Sequence, residues 1–403
     1  MYVRRTIKEK FNLVNPAFNI IAIVGARQAG KTTFLKEEIK NIEDINNVNA
    51  NYLFFDDPDI RRLFEEDIKK FEKQYLTTDI IILDEVQYCK NAGPKLKYLA
   101  DSKYKLWITS SSEIILSKEV LSYLVGRVAI IRLYPFCFSE FLEAKNQKAM
   151  NNEIQKRIVW EHLTYGGYPR VVLSENVELK KIILKNLHDT MLIKDVAQVF
   201  SIDDVNSLEK TSAYLAYNVG SIMSIESASK SLGLAYRTIR KYLDALEKSH
   251  LILLVSPYHS NKNKEISKQP KIYFIDTGLR NTITKTFPSD VEGKLFENYI
   301  ATELIKAGFS PKYWRTRAGA EVDFIIEIDQ KIIPIECKLS ADSVKRSLRS
   351  FINTYHPDKA FIVNYECINK NIVLENCQVN ICDVRTLIKS LNELKEIHDA
   401  PVV

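Results

Sequence analysis

Ile20-Ile21-Ala22-Ile23-Val24-Gly25-Ala26-Arg27-Gln28-Ala29-Gly30-Lys31-Thr32-Thr33 decides the reading of this 403-residue chain. An apolar run of strand length breaks into G-x-x-x-x-G-K-T, and Phe34-Leu35-Lys36-Glu37-Glu38 continues as helix. That is a phosphate-binding loop in the context it requires, strand before and helix after. Gly25 and Gly30 let the backbone turn so that the successive N–H groups of Gly25, Ala26, Arg27, Gln28, Ala29, Gly30, Lys31, Thr32 and Thr33 surround a phosphate chain. The helix start adds its positive dipole end. Lys31 reaches the β- and γ-phosphates and the Thr32 hydroxyl ligates Mg²⁺. A glycine turn that only joins strand to helix has no use for Lys-Thr at this spacing. ATP with Mg²⁺ is the expected ligand.

Asp79-Ile80-Ile81-Ile82-Leu83 is a second apolar run, β-branched as a parallel strand buried on both faces would be, and it ends in Asp84-Glu85. A carboxylate there holds the Mg²⁺ water shell beside Thr32, and the next one polarises an attacking water. Asp84 is therefore assigned to the metal and Glu85 to the catalytic base; alone, the pair would read as a solvated strand end. A third strand, Lys105-Leu106-Trp107-Ile108-Thr109, runs into Ser110-Ser111-Ser112, whose hydroxyls either sense the γ-phosphate or form an ordinary turn. Arg127, in Gly126-Arg127-Val128, is either a surface charge or a catalytic cation that neutralises transition-state charge in its own site or a neighbour's.

The order P-loop, I-I-I-L-D-E-V-Q, I-T-S-S-S, G-R-V and Leu133-Tyr134-Pro135-Phe136-Cys137-Phe138-Ser139-Glu140-Phe141 resembles a family of AAA-like archaeal and bacterial ATPases with a C-terminal domain of uncertain function. The resemblance covers nearly the whole chain. It implies nucleotide roles for Lys31, Thr32, Asp84 and Glu85, sensor duty for the Thr109–Ser112 region, and importance for Arg127. The chain departs at Ser110, where the family more often has glycine, which touches the sensor geometry and not nucleotide binding.

A 46% hydrophobic and 27% charged composition is that of a soluble globular protein, and its length suits two or three domains. The net charge of +6 is compatible with nucleic acid without requiring it. Cysteines 89, 137, 337, 367, 377 and 382 form no C-x-x-C pair and read as reduced thiols. No stretch approaches the roughly 18 apolar residues of a membrane helix, and no signal-peptide core is seen; no membrane partner and a cytoplasmic location are expected. The fold class expected is α/β: a P-loop parallel sheet over 1–145, a helical and winged-helix domain over 146–290, and an α/β restriction-endonuclease-like domain over 291–403. The polar run 260–265 is either a flexible link or a hairpin tip.

In the middle piece, Ser224–Leu234 reads as a short helix stopped by Gly233, and Tyr236–Leu246 as a second with Ile239, Leu243 and Leu246 on one face. Leu251–Val255 and Lys271–Ile275 supply two strands, giving a winged-helix layout. Residues 205–270 hold nine Lys/Arg against five Asp/Glu. Tyr236, Arg237, Arg240 and Lys241 face outward, so this helix either enters a DNA groove or is simply solvated; winged helices also dock proteins.

In the last piece, Glu297 lies in an amphipathic helix, Glu321-Val322-Asp323 opens one strand, and Glu336-Cys337-Lys338 closes the next. Side chains two apart share a strand face, so Glu336 and Lys338 are together and a hairpin brings Asp323 beside them. Asp323, Glu336 and Glu297 would form an oxygen-rich Mg²⁺ or Mn²⁺ site, with Lys338 positioning a hydrolytic water. This resembles the PD-(D/E)xK nuclease superfamily, with Val322 where its proline usually stands. A salt-bridge cluster is the structural alternative. Three functions stay open: an ATP-driven nuclease, an ATPase switch binding a protein partner, and a DNA-binding ATPase without cleavage. A homo-oligomer follows if Arg127 completes a neighbour's site.

Overall fold

The run Ile20–Val24 forms strand β1 and every one of its side chains is buried. In the computed structural model, which describes residues 2–46, 49–102, 104–111, 121–147, 151–259, 268–340 and 343–399, the chain divides into two compact units. The first comprises Met1–Phe136, Thr190–Ile202 and Lys248–His250; the second comprises Cys137–Asp189, Asp203–Glu247 and Leu251–Val403. Ser112 and the run 260–265 lie outside the described residues.

In the first unit β1, β2 (Ala50–Phe54), β3 (Ile80–Asp84), β4 (Lys105–Ser110) and β5 (Val128–Arg132) make a sheet of order β2-β3-β4-β1-β5. All of its pairings are parallel. Parallel strands require crossovers that cover both faces, so the strands must be apolar on both. Alternation in β1 shows how: Ile20, Ala22 and Val24 pack with Phe55, Phe64 and Phe71, while Ile21 and Ile23 pack with Phe11, Phe34 and Trp107. Phe11 meets Phe34 and Trp107 edge-on at 5.3 and 5.0 Å. Helix α1 (Lys8–Val14) supplies Phe11 and helix α2 (Lys31–Asn46), directly after the glycine loop, supplies Phe34. Burying each such ring contributes about 1.5–3 kcal/mol.

In the second unit, helices α3 (Val205–Tyr217), α4 (Ile225–Leu232) and α5 (Tyr236–Lys248) precede an antiparallel pair, β6 (Ile252–Val255) with β7 (Lys271–Phe274). Gly233, with φ 65°, caps α4 in the left-handed region that glycine favours. After helix α6 (Gly293–Lys306) comes a six-stranded sheet of order β12-β13-β11-β10-β9-β8. Its strands are β8 (Lys312–Arg315), β9 (Glu321–Ile328), β10 (Lys331–Lys338), β11 (Lys359–Asn364), β12 (Lys370–Leu374) and β13 (Cys377–Cys382). β9 and β10 pair antiparallel, whereas β10 and β11 are parallel and are joined through helix α7 (Arg346–Tyr355).

The two compact units divide the chain differently from the three consecutive pieces expected from sequence, the later two pieces falling mostly in the second unit. The amide of Asn298, on α6, donates to Phe274 O and accepts from Phe274 N, both at 2.8 Å, so β7 and α6 are stitched together inside one unit. The loop Tyr165–Arg170 is also tied down in this unit. Gly167 donates to Asp276 at 2.7 Å, and a Cβ on Gly166 would lie 2.0 Å from the same carboxylate.

Candidate functional site

The glycine loop leaves β1 at the C-terminal edge of the parallel sheet. Gly25 adopts φ 150°, and a Cβ there would lie 2.0 Å from Leu133 O. Gln28 and Gly30 also have positive φ, 58° and 101°, as the turn demands. Arg5 braces the loop from outside, donating to Ala29 O at 2.8 Å and to Tyr134 O at 2.5 Å. Lys31 is buried, and its ammonium donates to Gly25 O at 2.9 Å and Ala26 O at 3.1 Å. Burial lowers its pKa, opposed by the carboxylates of Glu85, Asp195 and Asp84. Thr33, the last residue of the expected cradle, is exposed on α2.

Asp84, at the end of β3, is buried and accepts from three hydroxyls: Thr32 at 2.9 Å, Tyr52 and Thr109. Glu85 follows in the left-handed region, φ 60°, with its N–H on Thr109 Oγ1 at 3.0 Å. Its carboxylate accepts from Gln87, whose amide also donates to Ser111 Oγ at 3.1 Å. Thr109, on β4, is thus bound to the Asp84-Glu85 pair and Ser111, just past β4, reaches it through Gln87, while Ser110 accepts from Gly25 N at 3.3 Å through its carbonyl.

Two partners were not foreseen. Tyr52 lies on β2, whose sequence carries no motif; burial and Asp84 raise its pKa. Arg27 forks onto Asp195 with 3.1 and 3.0 Å bonds, and Asp195 lies in the π-helical segment Met191–Ala197. Burial raises the Asp195 pKa and Arg27 opposes it. A single aspartate so far along the chain gives no sequence signal of contact with the loop.

Arg127 is not beside the nucleotide loop of its own chain, which corrects the expectation that it could act there. Its carbonyl accepts from Ile20 N, at the start of β1, while the loop follows the far end of that strand. Its guanidinium pairs with Asp101 at 2.6 Å.

A second constellation lies in the second unit. The β9–β10 register pairs Ile335 with Phe324, so the next step along the ladder sets Glu336 opposite Asp323. Asp323 accepts from Cys337 N at 2.8 Å. Glu336 is buried, with one carboxylate oxygen on Lys345 at 2.8 Å and the other, Oε2, without a hydrogen-bond partner among the described residues. Glu297, Glu321 and Asp323 can bring one oxygen each within 4.8 Å of one another. Lys271, 1% exposed, binds Glu297 at 2.9 Å and Glu321 at 2.5 Å, and Tyr273 donates to Glu297 at 2.6 Å. Burial and the Glu297 and Glu336 carboxylates push Asp323 up to about 7. Burial works against the Lys271 charge, but Glu297, Asp323 and Glu321 outweigh it and raise its pKa. Lys338 lines the same cleft, of about 480 Å³, and donates to Ser343 O at 2.6 Å; the lysine on Glu336 is Lys345 instead. Lys271, Tyr273 and Glu321 were not singled out from sequence, because Lys271 and Tyr273 sit inside an apolar strand pattern and read as core and edge.

The donors fit the expected groups: a cradle that side chains would fill at Gly25, hydroxyl and carboxylate oxygens at Thr32 and Asp84, and an orphaned buried oxygen at Glu336. Residues 17–142 match an AAA domain. These residues are therefore an AAA-like P-loop domain, and its loop supports ATP binding. Residues 156–290 and 292–381 match two domains of unknown function (DUF8612 and DUF4143). An uncharacterized protein of Methanocaldococcus jannaschii is 29% identical over 371 residues, covering 87% of this chain and 82% of that protein. One of Haemophilus influenzae is 27% identical over 334 residues, covering 79% and 82%. Among solved structures, AMPPCP-bound DnaA from Aquifex aeolicus aligns at 14% identity and a TM-score of 0.32, covering 61% of this chain and 89% of that one. Cdc6p from Pyrobaculum aerophilum aligns at 14% and 0.31, covering 70% and 95%. Scores this low carry no argument. Among the described residues no helix is long and apolar enough to cross a membrane.

Proposed function

We propose that the protein is an ATPase whose nucleotide cycle acts on a nucleic-acid-binding and nuclease-like second unit. The observation that carries the reading is the Thr32–Asp84 hydrogen bond of 2.9 Å beside the loop lysine. It sets the two Mg²⁺-binding groups against each other at the mouth of the phosphate cradle. When bound, Mg²⁺ would neutralise charge between the β- and γ-phosphates. Lys31 exchanges its loop carbonyls for phosphate oxygens. Glu85 takes the proton from the attacking water, and Gln87 with Ser111 keeps its carboxylate in place.

Three helices followed by a β-hairpin support a winged helix in the second unit. The helix α6, the antiparallel strands β8, β9 and β10, then α7 and the parallel strand β11 support a nuclease-like core, with Asp323, Glu336 and Glu297 as Mg²⁺ or Mn²⁺ ligands and Lys338 beside them. The test is cleavage of single- and double-stranded DNA and RNA with Mg²⁺ or Mn²⁺, with and without ATP. Cleavage that disappears in Asp323→Ala/Glu336→Ala and becomes ATP-independent or vanishes in Lys31→Ala supports the reading; none under any condition, with ATP hydrolysis intact, removes the nuclease.

A second reading has its own observation. The groove beside α5 is lined by Glu226, Asp244 and Glu247 together with Tyr236 and Arg240. Carboxylates repel phosphate, so this face favours a protein partner over DNA. No DNA affinity above the salt-sensitive background would favour it.

A further inference from the structure

The acidic basin of the second unit has two places for positive charge, one met by the exposed Lys345 on Glu336 and the other by the buried Lys271. The first place lies between Asp323 and Glu336, where the buried Glu336 Oε2 has no partner among the described residues. The second lies between Glu297 and Glu321, where the Lys271 ammonium sits 2.9 and 2.5 Å from the two carboxylates. We propose that Lys271 is the fixed cation of the second place, so that the basin takes up one divalent ion, on Asp323 and Glu336, and not two. The inference rests on the metal reading given above and goes beyond it by setting the stoichiometry, by leaving Glu297 to Lys271 and not to the ion, and by naming the residue that limits it.

Three features separate Lys271 from the other lysines of the basin. Its side chain is 1% exposed, whereas those of Lys294 and Lys345 are 53% and 57% exposed, so those two can swing into water and Lys271 cannot. It comes from β7, a hairpin strand outside the six-stranded sheet, and β7 is fixed to α6 by both bonds of Asn298. Its ammonium also lies over the Tyr313 ring, 5.6 Å from the ring centre. An ion entering between Glu297 and Glu321 would have to expel a buried ammonium that has no water to retreat to, which electrostatic repulsion forbids. An ion between Asp323 and Glu336 meets an unsatisfied oxygen and displaces only the exposed Lys345.

Calorimetric titration of the nucleotide-free full chain with MnCl₂ tests this, counting only the binding that Asp323→Ala/Glu336→Ala or Glu297→Ala/Glu321→Ala abolishes. The expected count is one ion per chain in the wild type and in Lys271→Arg, and two in Lys271→Met. Two ions in the wild type overturn the proposal, and this arm needs no variant of Lys271 to fold. A folded Lys271→Met that still takes one ion at unchanged affinity overturns it too. No ion in the wild type removes the metal reading itself and this inference with it.

Discussion

At the scale of single residues, the nucleotide site rests on Lys31, Asp84 and Glu85, and each has a separable consequence. Lys31→Ala removes charge-assisted bonds to phosphate and should weaken ATP binding by roughly 10- to 100-fold, read by titration with a fluorescent ATP analogue. Tyr52→Phe leaves buried Asp84 with one hydroxyl donor fewer, and urea unfolding should show a loss of about 1–3 kcal/mol. Asp323 gives a pH signature. Its carboxyl is held at about 7 in the fold against about 3.9 in an unfolded chain, so the folded state keeps a proton that the unfolded state has lost. That contribution is complete below about pH 4 and is lost as pH rises through about 7. In chelator, the melting temperature of the wild type should therefore lose this contribution between about pH 4 and 7 and fall further across that window than that of Asp323→Asn. The sequence showed Asp323 and Glu336 by their strand periodicity. It could not show Lys271, because a lysine opening a strand looks like an edge charge until α6 is packed on it.

Among elements, β1, β3 and β4 were legible because parallel strands buried on both faces must be continuously apolar. Strand β10 was legible despite Pro334: its pairing with β11 begins only at Ile335, so the missing N–H of the proline costs no bond on that side. The segment Met191–Ala197 was not legible. Its bond to the loop, Arg27–Asp195, joins residues 168 apart in sequence. The hairpin's attachment was also hidden, since the Asn298 amide and the Glu297 carboxylate that hold β7 on α6 carry no sequence signal of that contact. Asn298→Ala leaves the buried N–H and C=O of Phe274 unpaired and should cost about 2–4 kcal/mol in denaturant unfolding of the second unit, while ATP binding by the first stays as in the wild type.

For the molecule as a whole, the sequence order of motifs suggested three consecutive domains, whereas the packing interleaves two units along the chain. Composition alone cannot reveal this, because a segment such as Met191–Ala197 has an ordinary helical composition wherever it packs. The position of Arg127 at the far edge of its own sheet also matters at this scale: Arg127→Ala should leave hydrolysis by dilute, monodisperse protein unchanged. The central claim is that Glu85 activates water at a loop that binds ATP through Lys31. It is tested most directly by measuring ATP binding and turnover together in the wild type and Glu85→Gln. The account predicts that Glu85→Gln binds ATP as tightly as the wild type and turns it over roughly 10²–10⁴-fold more slowly. Turnover at the wild-type rate in Glu85→Gln would contradict it.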